Sequence, residues 1–298
     1  MKSKIIIGTW PLSGDYGTIN LDQVQQSLEF CYNNGLKEFD TAPNYGNGFM
    51  EFCLGKVFQQ NLDVQINTKV GNLPFGGKNF DVESLKKSFN ESLKRLKRKS
   101  INTLFLHNPR NDILDYDKII DFMEKLKNEN IIKNIGLSKA KNFDYDDLVD
   151  LNRFDAIQED VNLLYLEPIN KIKKMKSIFM ARSPLASGLL SGKITKDTKF
   201  SNDDHRNSWL KEERLKSLLK RVDIIKQNSD MELNSLAIKF LLNLESIDKI
   251  IFGIKKIEHI KNIMDIASDY KLDNDIIQKL KELYKKDFGL INEKQYSY

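Results

Sequence analysis

The sequence is poor in the residues that staple small folds or build metal centres, with two cysteines, three histidines and six prolines in 298 positions. Cys31 and Cys53 fall on apolar faces of helical repeats without metal-ligand spacing, so they read as buried free thiols in a reducing, cytoplasmic setting. His107, His205 and His259 include no HxH pair, which weighs against a metal-dependent barrel hydrolase needing several ligands at its strand ends. No apolar run approaches the ~20 residues of a membrane span. The start, MKSKIIIGTW, has three consecutive isoleucines, too few for a signal-peptide core. Charge of one sign does not dominate either, since 47 basic and 42 acidic residues are interspersed. The densest basic run, Lys94 to Lys99, ends an amphipathic helix, where cations complement the dipole. It lacks the wide basic stripe of a nucleic-acid binder. With no linker and no low-complexity tract, residues 1–298 read as one domain.

What is present is a grammar of alternation. Short β-branched runs recur at 4–8, 37–41, 64–68, 102–106, 132–137, 155–159, 177–181 and 248–252. Between them, apolar residues step by three and four, as in Leu21, Val24, Leu28 and Cys31, or Val82, Leu85, Phe89, Leu93 and Leu96. Asn20 and Asp81 sit where helix N-caps belong. Strands alternating with helices imply parallel pairing through right-handed crossovers, and eight such units close into a (β/α)8 TIM barrel. Two long loops, 71–80 (GNLPFGGKNF) and 184–210, leave from strand C-terminal ends, the face where barrel enzymes carry their sites.

The residue at or just after each strand end is Trp10, Asp40, Lys69, His107, Ser138, Gln158, Ser183 and Gly253 in turn. An Asp, a Lys and a His from different strands converge at one barrel mouth, with Tyr45 in the turn after Asp40 able to reach the same space. Burying such a titratable cluster costs free energy unless its members pair. Each of the four has an ordinary structural role when taken singly. Together they mark a proton-handling site.

These segments are specific. FDTAPNYG at 39–46, NTKVG at 67–71 and LFLHNP at 104–109 resemble the active-site segments of the aldo-keto reductase family. IGLS at 135–138, Gln158, RSPLASGLLSGK at 182–193 and GIKKIEHI at 253–260 resemble its later, cofactor-binding segments in the same order. The resemblance implies a barrel that holds an extended nicotinamide cofactor at its C-terminal face, and reduction of an aldehyde or ketone. Consistently, no GxGxxG follows a strand.

Carried over position by position, the resemblance makes Tyr45 the general acid, Lys69 the cation that lowers its pKa, Asp40 the partner of Lys69, and His107 the group that orients the carbonyl oxygen. It assigns the cofactor to Gly8, Thr9, Trp10, Asp40, Ser138, Gln158, Arg182, Ser183, Pro184, Leu185, Ser187, Gly188, Gly253, Lys255, Lys256 and His259. Lys255 and Lys256 lie where the family binds a 2′-phosphate, so NADPH is expected over NADH. Lys139, Arg182, His259 and Ile263 depart from the family's usual Asn, aromatic, Gln and Asn. The substrate, a small carbonyl compound with a sugar as one candidate, would meet Trp10, Asn44, Tyr45, His107, Asn108, Arg110, the 71–80 loop and Trp209. With strand one beginning at once, the C-terminal helix at 274–287 is expected to cover the barrel base. A non-catalytic nicotinamide-binding regulatory subunit is the competing reading, and the intact acid and activator pair argues against it.

Overall fold

Runs rich in Ile, Val, Leu and Phe extend because branched and aromatic side chains pack well on a pleated surface. The computed structural model describes residues 1–109, 115–140, 150–172, 176–290 and 293. Its strands are β1 (Ile5–Gly8), β2 (Glu38–Asp40), β3 (Gln65–Val70), β4 (Ile101–His107), β5 (Ile132–Ser138), β6 (Ala156–Asp160), β7 (Ile178–Arg182) and β8 (Lys249–Gly253). All pair in parallel, each with the next, and β8 returns to β1 through Ile6↔Ile251 and Gly8↔Gly253. The expected eight-stranded barrel is therefore present, with strand ends shifted by one or two residues.

The described helices are α1 (Leu21–Asn33), α2 (Phe49–Phe58), α3 (Val82–Leu96), α4 (Tyr116–Asn128), α5 (Pro168–Ile172), α6 (Arg206–Trp209), α7 (Glu212–Gln227), α8 (Leu233–Leu242), α9 (Ile257–Ser268) and α10 (Asn274–Lys285). Asn20 caps α1 by accepting from the Asp22 backbone N–H. Asp81 occupies the cap position of α3 but its side chain makes no capping bond. The basic run is more than a solvated face: Arg98 donates to the Phe58 and Asn61 carbonyls, both at 2.7 Å, completing the C-terminal end of α2.

Because side chains alternate across a strand, each strand sends every second residue inward. Ile6, Phe105, Ala156, Met180 and Ile251 form a separate apolar cluster, the filling of the barrel. Their neighbours Ile5, Ile7, Leu104, Leu106, Ile157, Phe179, Ile250 and Phe252 join the larger core beneath the helices. Gly136 makes room for that filling, since a Cβ there would stand 2.3 Å from the Phe105 ring. Below lies a polar layer in which Glu38 takes Lys249 and, at 3.0 Å, the Asn67 amide, itself bonded by Asn102 at 2.9 Å. This polar layer fills the N-terminal end of the barrel interior. Helix α10 meets α7, where Lys279 reaches the Asn228 carbonyl and Asp287 just beyond α10 pairs with Arg221 at 2.8 Å, and its Tyr284 bonds the backbone at Leu166 and Glu167 after β6.

On the outer side, Glu51 of α2 is fully buried, accepting from Thr68 Oγ1 of β3 and pairing with Arg95 of α3 at 2.7 Å. Arg95→Leu leaves that carboxylate without its counter-charge, so a loss of about 3–5 kcal/mol is expected in urea unfolding. An unchanged midpoint would contradict this role.

Candidate active site

The same alternation that fills the barrel builds its mouth. Asp40, Lys69, His107, Ser138, Gln158 and Arg182 each follow an inward residue by two, so all six face the axis at the C-terminal end. Lys69 is 1% exposed and spends its donors on Asp40 Oδ1 at 2.6 Å, the Thr41 carbonyl at 2.8 Å and Tyr45 Oη at 3.3 Å. The other oxygen of Asp40 accepts from Gln158 Nε2 at 2.5 Å, a bond across the barrel from β6 to β2. The Tyr45 ring stands edge-on to His107 with centroids 6.1 Å apart and stacks on Trp10 at 5.9 Å. The four residues expected to handle protons are thus together.

Burial governs their titration. It pushes the Tyr45 phenol above its ordinary value, and the nearby Lys69 ammonium offsets this only in part. The expectation that Lys69 lowers this phenol is therefore right in sign for the pair but outweighed by desolvation. Burial acts on Lys69 in the opposite direction, yet Asp40 and Tyr45 beside it win and hold it charged. His107 is driven well below 6.5 by burial and then by Lys69, Arg182 and Lys78, so it is neutral at neutral pH, and its Nδ1 has no partner.

Beside this group, Ser138 and Gln158 are register partners on β5 and β6. Ser138 Oγ accepts from Arg182 Nη1 at 2.7 Å, while Gln158 Oε1 is buried with no partner among the described residues. Arg182 also reaches the Lys139 carbonyl at 2.6 Å and Asp160 at 3.3 Å, and Lys139 pairs with Glu159 at 3.2 Å. The two unusual cations are thus neutralised. After β7 the chain turns through left-handed Ser183, Ala186, Ser187 and Gly188, backbone geometry suited to an anion cradle around Pro184 and Leu185. At β8, Gly253 leads to Lys255, whose Nζ donates to the Tyr16 carbonyl at 2.5 Å and whose N–H reaches His259 Nδ1 at 3.3 Å. Lys256 is exposed at the start of α9.

Gly8 and Thr9 are buried at the end of β1, where Thr9 Oγ1 donates to the Asp40 carbonyl at 3.0 Å. Asn44 has a buried, unpartnered Oδ1 in the Tyr45 turn. The 71–80 loop is a small hairpin tied to the loops after β2 and β4: Phe75 N–H donates to Asn47, and Lys78 Nζ to the Asn108 carbonyl. Asn108 itself is left-handed, with its N–H on the Ser138 carbonyl. Arg110 lies outside the described residues.

With this geometry in place, the Aldo/keto reductase family model matches residues 4–285. The chain belongs to that family. L-galactose dehydrogenase of Arabidopsis thaliana is 31% identical over 205 residues, 63% of this chain and 63% of that protein, so the match spans less than two thirds of either. Aldo-keto reductase YhdN of Bacillus subtilis is 25% identical over 89% of this chain and 85% of its own length. The structure of the glycerol dehydrogenase of Gluconobacter oxydans superposes with a TM-score of 0.78 at 20% identity, covering 99% and 94% of the two chains. This aldo/keto reductase is an oxidoreductase acting on small-molecule carbonyl compounds with a nicotinamide cofactor. Its residues fit that group: Ser138 has an O–H whose one contact is a long 3.5 Å approach to the Asn108 amide, and Gln158 Oε1 awaits a donor. A carboxamide offers the complement of both. Among the described residues, no helix is long and apolar enough to cross a membrane.

Sequence reasoning missed how this reductase covers its mouth. The turn after β1 meets the long loop after β7: Tyr16 bridges to Asp204, His205 N–H donates to the Asp15 carbonyl at 2.8 Å, and Thr18 N–H to Asp203 at 3.1 Å. Arg206 pairs with Asp204 at 2.6 Å and lies over the Tyr16 and Phe200 rings. Burial pushes the Tyr16 phenol up to about 12. His205 packs between Trp10 and Tyr16, both at 4.6 Å, with Trp209 beyond at 6.2 Å. The sequence put the 184–210 loop on this face, but within it only the charged stretch DDHR at 203–206 stood out, and it has no periodicity to place it.

The buried neutral His107 has a consequence for stability. Below about pH 6.5 the unfolded chain binds a proton that the folded His107 refuses, so stability falls as pH drops through that window. His205 and His259, both also held low by burial, contribute in the same direction. In His107→Gln, the loss of unfolding free energy between about pH 7 and pH 5 is expected to be shallower than in the parent. An identical slope would mean that His107 does not resist protonation.

Proposed function

We propose that this chain reduces the carbonyl group of a small hydroxylated aldehyde or ketone with NADPH, Tyr45 supplying the proton. The observation carrying this reading is Lys69 Nζ, buried within bonding distance of both Asp40 Oδ1 and Tyr45 Oη. A bound nicotinamide supplies the hydride to the carbonyl carbon. Tyr45 gives its proton to the carbonyl oxygen as negative charge develops there, and the Lys69 ammonium stabilises the phenolate left behind. Neutral His107 donates one ring N–H to the same oxygen, so two donors converge on the developing charge. Asp40 keeps Lys69 charged and aimed.

Ser138 and Gln158 would hold the carboxamide, the turn at 183–188 the pyrophosphate, and Lys255 and Lys256 a 2′-phosphate, with His259 alongside. The polar and aromatic lining of Trp10, His205 and Trp209 supports a hydroxylated substrate, because rings cover the C–H face of a polyol while amides and imidazoles bond its hydroxyls. The names of relatives that act on L-galactose and glycerol support the same class.

Tyr45→Phe is expected to cut turnover about 10²–10⁴-fold while NADPH binding, followed by nucleotide fluorescence, stays near the parent value. Parent-like turnover in that variant would sink the assignment. For the 2′-phosphate, Lys255→Ala with Lys256→Ala should weaken NADPH binding by roughly tenfold per lost charge-assisted contact and leave NADH binding nearly unchanged. Equal losses for the two nucleotides would remove the case for NADPH preference.

A further inference from the structure

We propose that Gln158 is a positioning residue that links occupation of the nicotinamide subsite to the acidity of Tyr45, acting through Asp40 and Lys69. The inference rests on the reading of Tyr45 as the acid. Its basis is an unbroken line of short contacts from an orphaned acceptor to the phenol oxygen. Gln158 is fully buried, its Oε1 has no partner, and its Nε2 donates to Asp40 Oδ2 at 2.5 Å. Asp40 Oδ1 holds Lys69 Nζ at 2.6 Å, and Lys69 Nζ stands 3.3 Å from Tyr45 Oη.

An unsatisfied amide oxygen in a dry site is costly, so Gln158 is poised for a donor. Ser138, its register partner on β5, presents a hydroxyl beside it. Donor and acceptor side by side match a primary carboxamide, whose N–H would satisfy Gln158 Oε1. An amide that accepts at its oxygen donates more strongly through its nitrogen, because hydrogen bonds in a chain polarise one another. Gln158 then draws more of the Asp40 charge towards Oδ2, Asp40 screens Lys69 less, and more of the ammonium field falls on Tyr45 Oη.

The charged and titratable groups facing Tyr45 come from several elements. Lys69 on β3 and Arg182 on β7 favour the phenolate, whereas Asp40 on β2 and Tyr16 in the turn after β1 oppose it. His107 on β4 is neutral. Among these only the Asp40 and Lys69 pair is touched by Gln158. The phenol of the free protein lies above its ordinary value, so cofactor-dependent acidity supplies what Lys69 alone does not.

The test uses the whole protein and reads tyrosinate absorbance against pH, with Tyr45→Phe identifying the part due to Tyr45. Titrations are run without nucleotide, with saturating NADPH, and with the saturating reduced 3-acetylpyridine analogue, which keeps the ring and the carbonyl but has no amide N–H. Saturation is read by quenching of tryptophan fluorescence. NADPH is expected to lower the Tyr45 midpoint by about one unit, tenfold in proton affinity. The analogue should leave it where it lies in the free protein. In Gln158→Leu, NADPH at saturation should no longer move it, whereas in Ser138→Ala it still should. Equal shifts with the two nucleotides overturn the link, as does a full shift in Gln158→Leu. If that variant fails to fold, the analogue decides alone in the unmodified chain. Loss of turnover in Tyr45→Phe together with equal shifts sinks only the link, whereas retained turnover sinks the acid assignment itself.

Discussion

A lysine ammonium with 1% of its surface exposed sets the terms for the mouth of this barrel. Taking Lys69 out of water is costly, and the charge persists because three acceptors meet its three N–H groups at hydrogen-bonding distance. Those acceptors come from β2 and the turn that follows it, so β2 and β3 must keep their register for the lysine to stay charged. Asp40 in turn is held from the far side by Gln158 on β6. The barrel has to be closed for that bond to exist. The geometry of the mouth and the completeness of the fold are thus one condition.

The interior is stratified around that constraint. A charged mouth and a charged base, where Glu38 meets Lys249, are separated by the apolar cluster of Ile6, Phe105, Ala156, Met180 and Ile251. The apolar layer keeps the local dielectric low beneath the mouth, which strengthens each ion pair there and raises the penalty on any unpaired group. That explains why the unusual cations of this family member come with their own anions, Lys139 with Glu159 and Arg182 with Asp160. It also explains why His107 is neutral, since among the described residues no carboxylate faces it to offset Lys69 and Arg182.

Above the mouth, the turn after β1 and the long loop after β7 are bonded to each other, with Lys255 donating to Tyr16 below them. The rings of Tyr45, Trp10, His205 and Trp209 run outward in sequence along this junction. Tyr45 therefore sits at one end of an aromatic wall at the barrel mouth.

By itself the sequence determined the architecture and which polar side chains meet at the barrel mouth. Period-two runs and three-four stepping are local properties of the chain, and the residue that ends each strand follows from the same count. Hence Asp40, Lys69 and His107 were legible, with Tyr45 one turn beyond. The tertiary structure decided everything that depends on two distant segments meeting. The bond from Gln158 to Asp40 joins strands on opposite sides of the barrel. Pairing of Arg182 with Asp160 and Ser138, and of Glu38 with Lys249 at the base, likewise joins elements far apart in the chain. His205 and Arg206 sit in a loop without periodicity, so nothing local announced that they would pack on Trp10 and Tyr16. Even the acidity of Tyr45 depended on the fold, because burial is a property of the assembled core and it outweighed the lysine that the sequence had set beside the phenol.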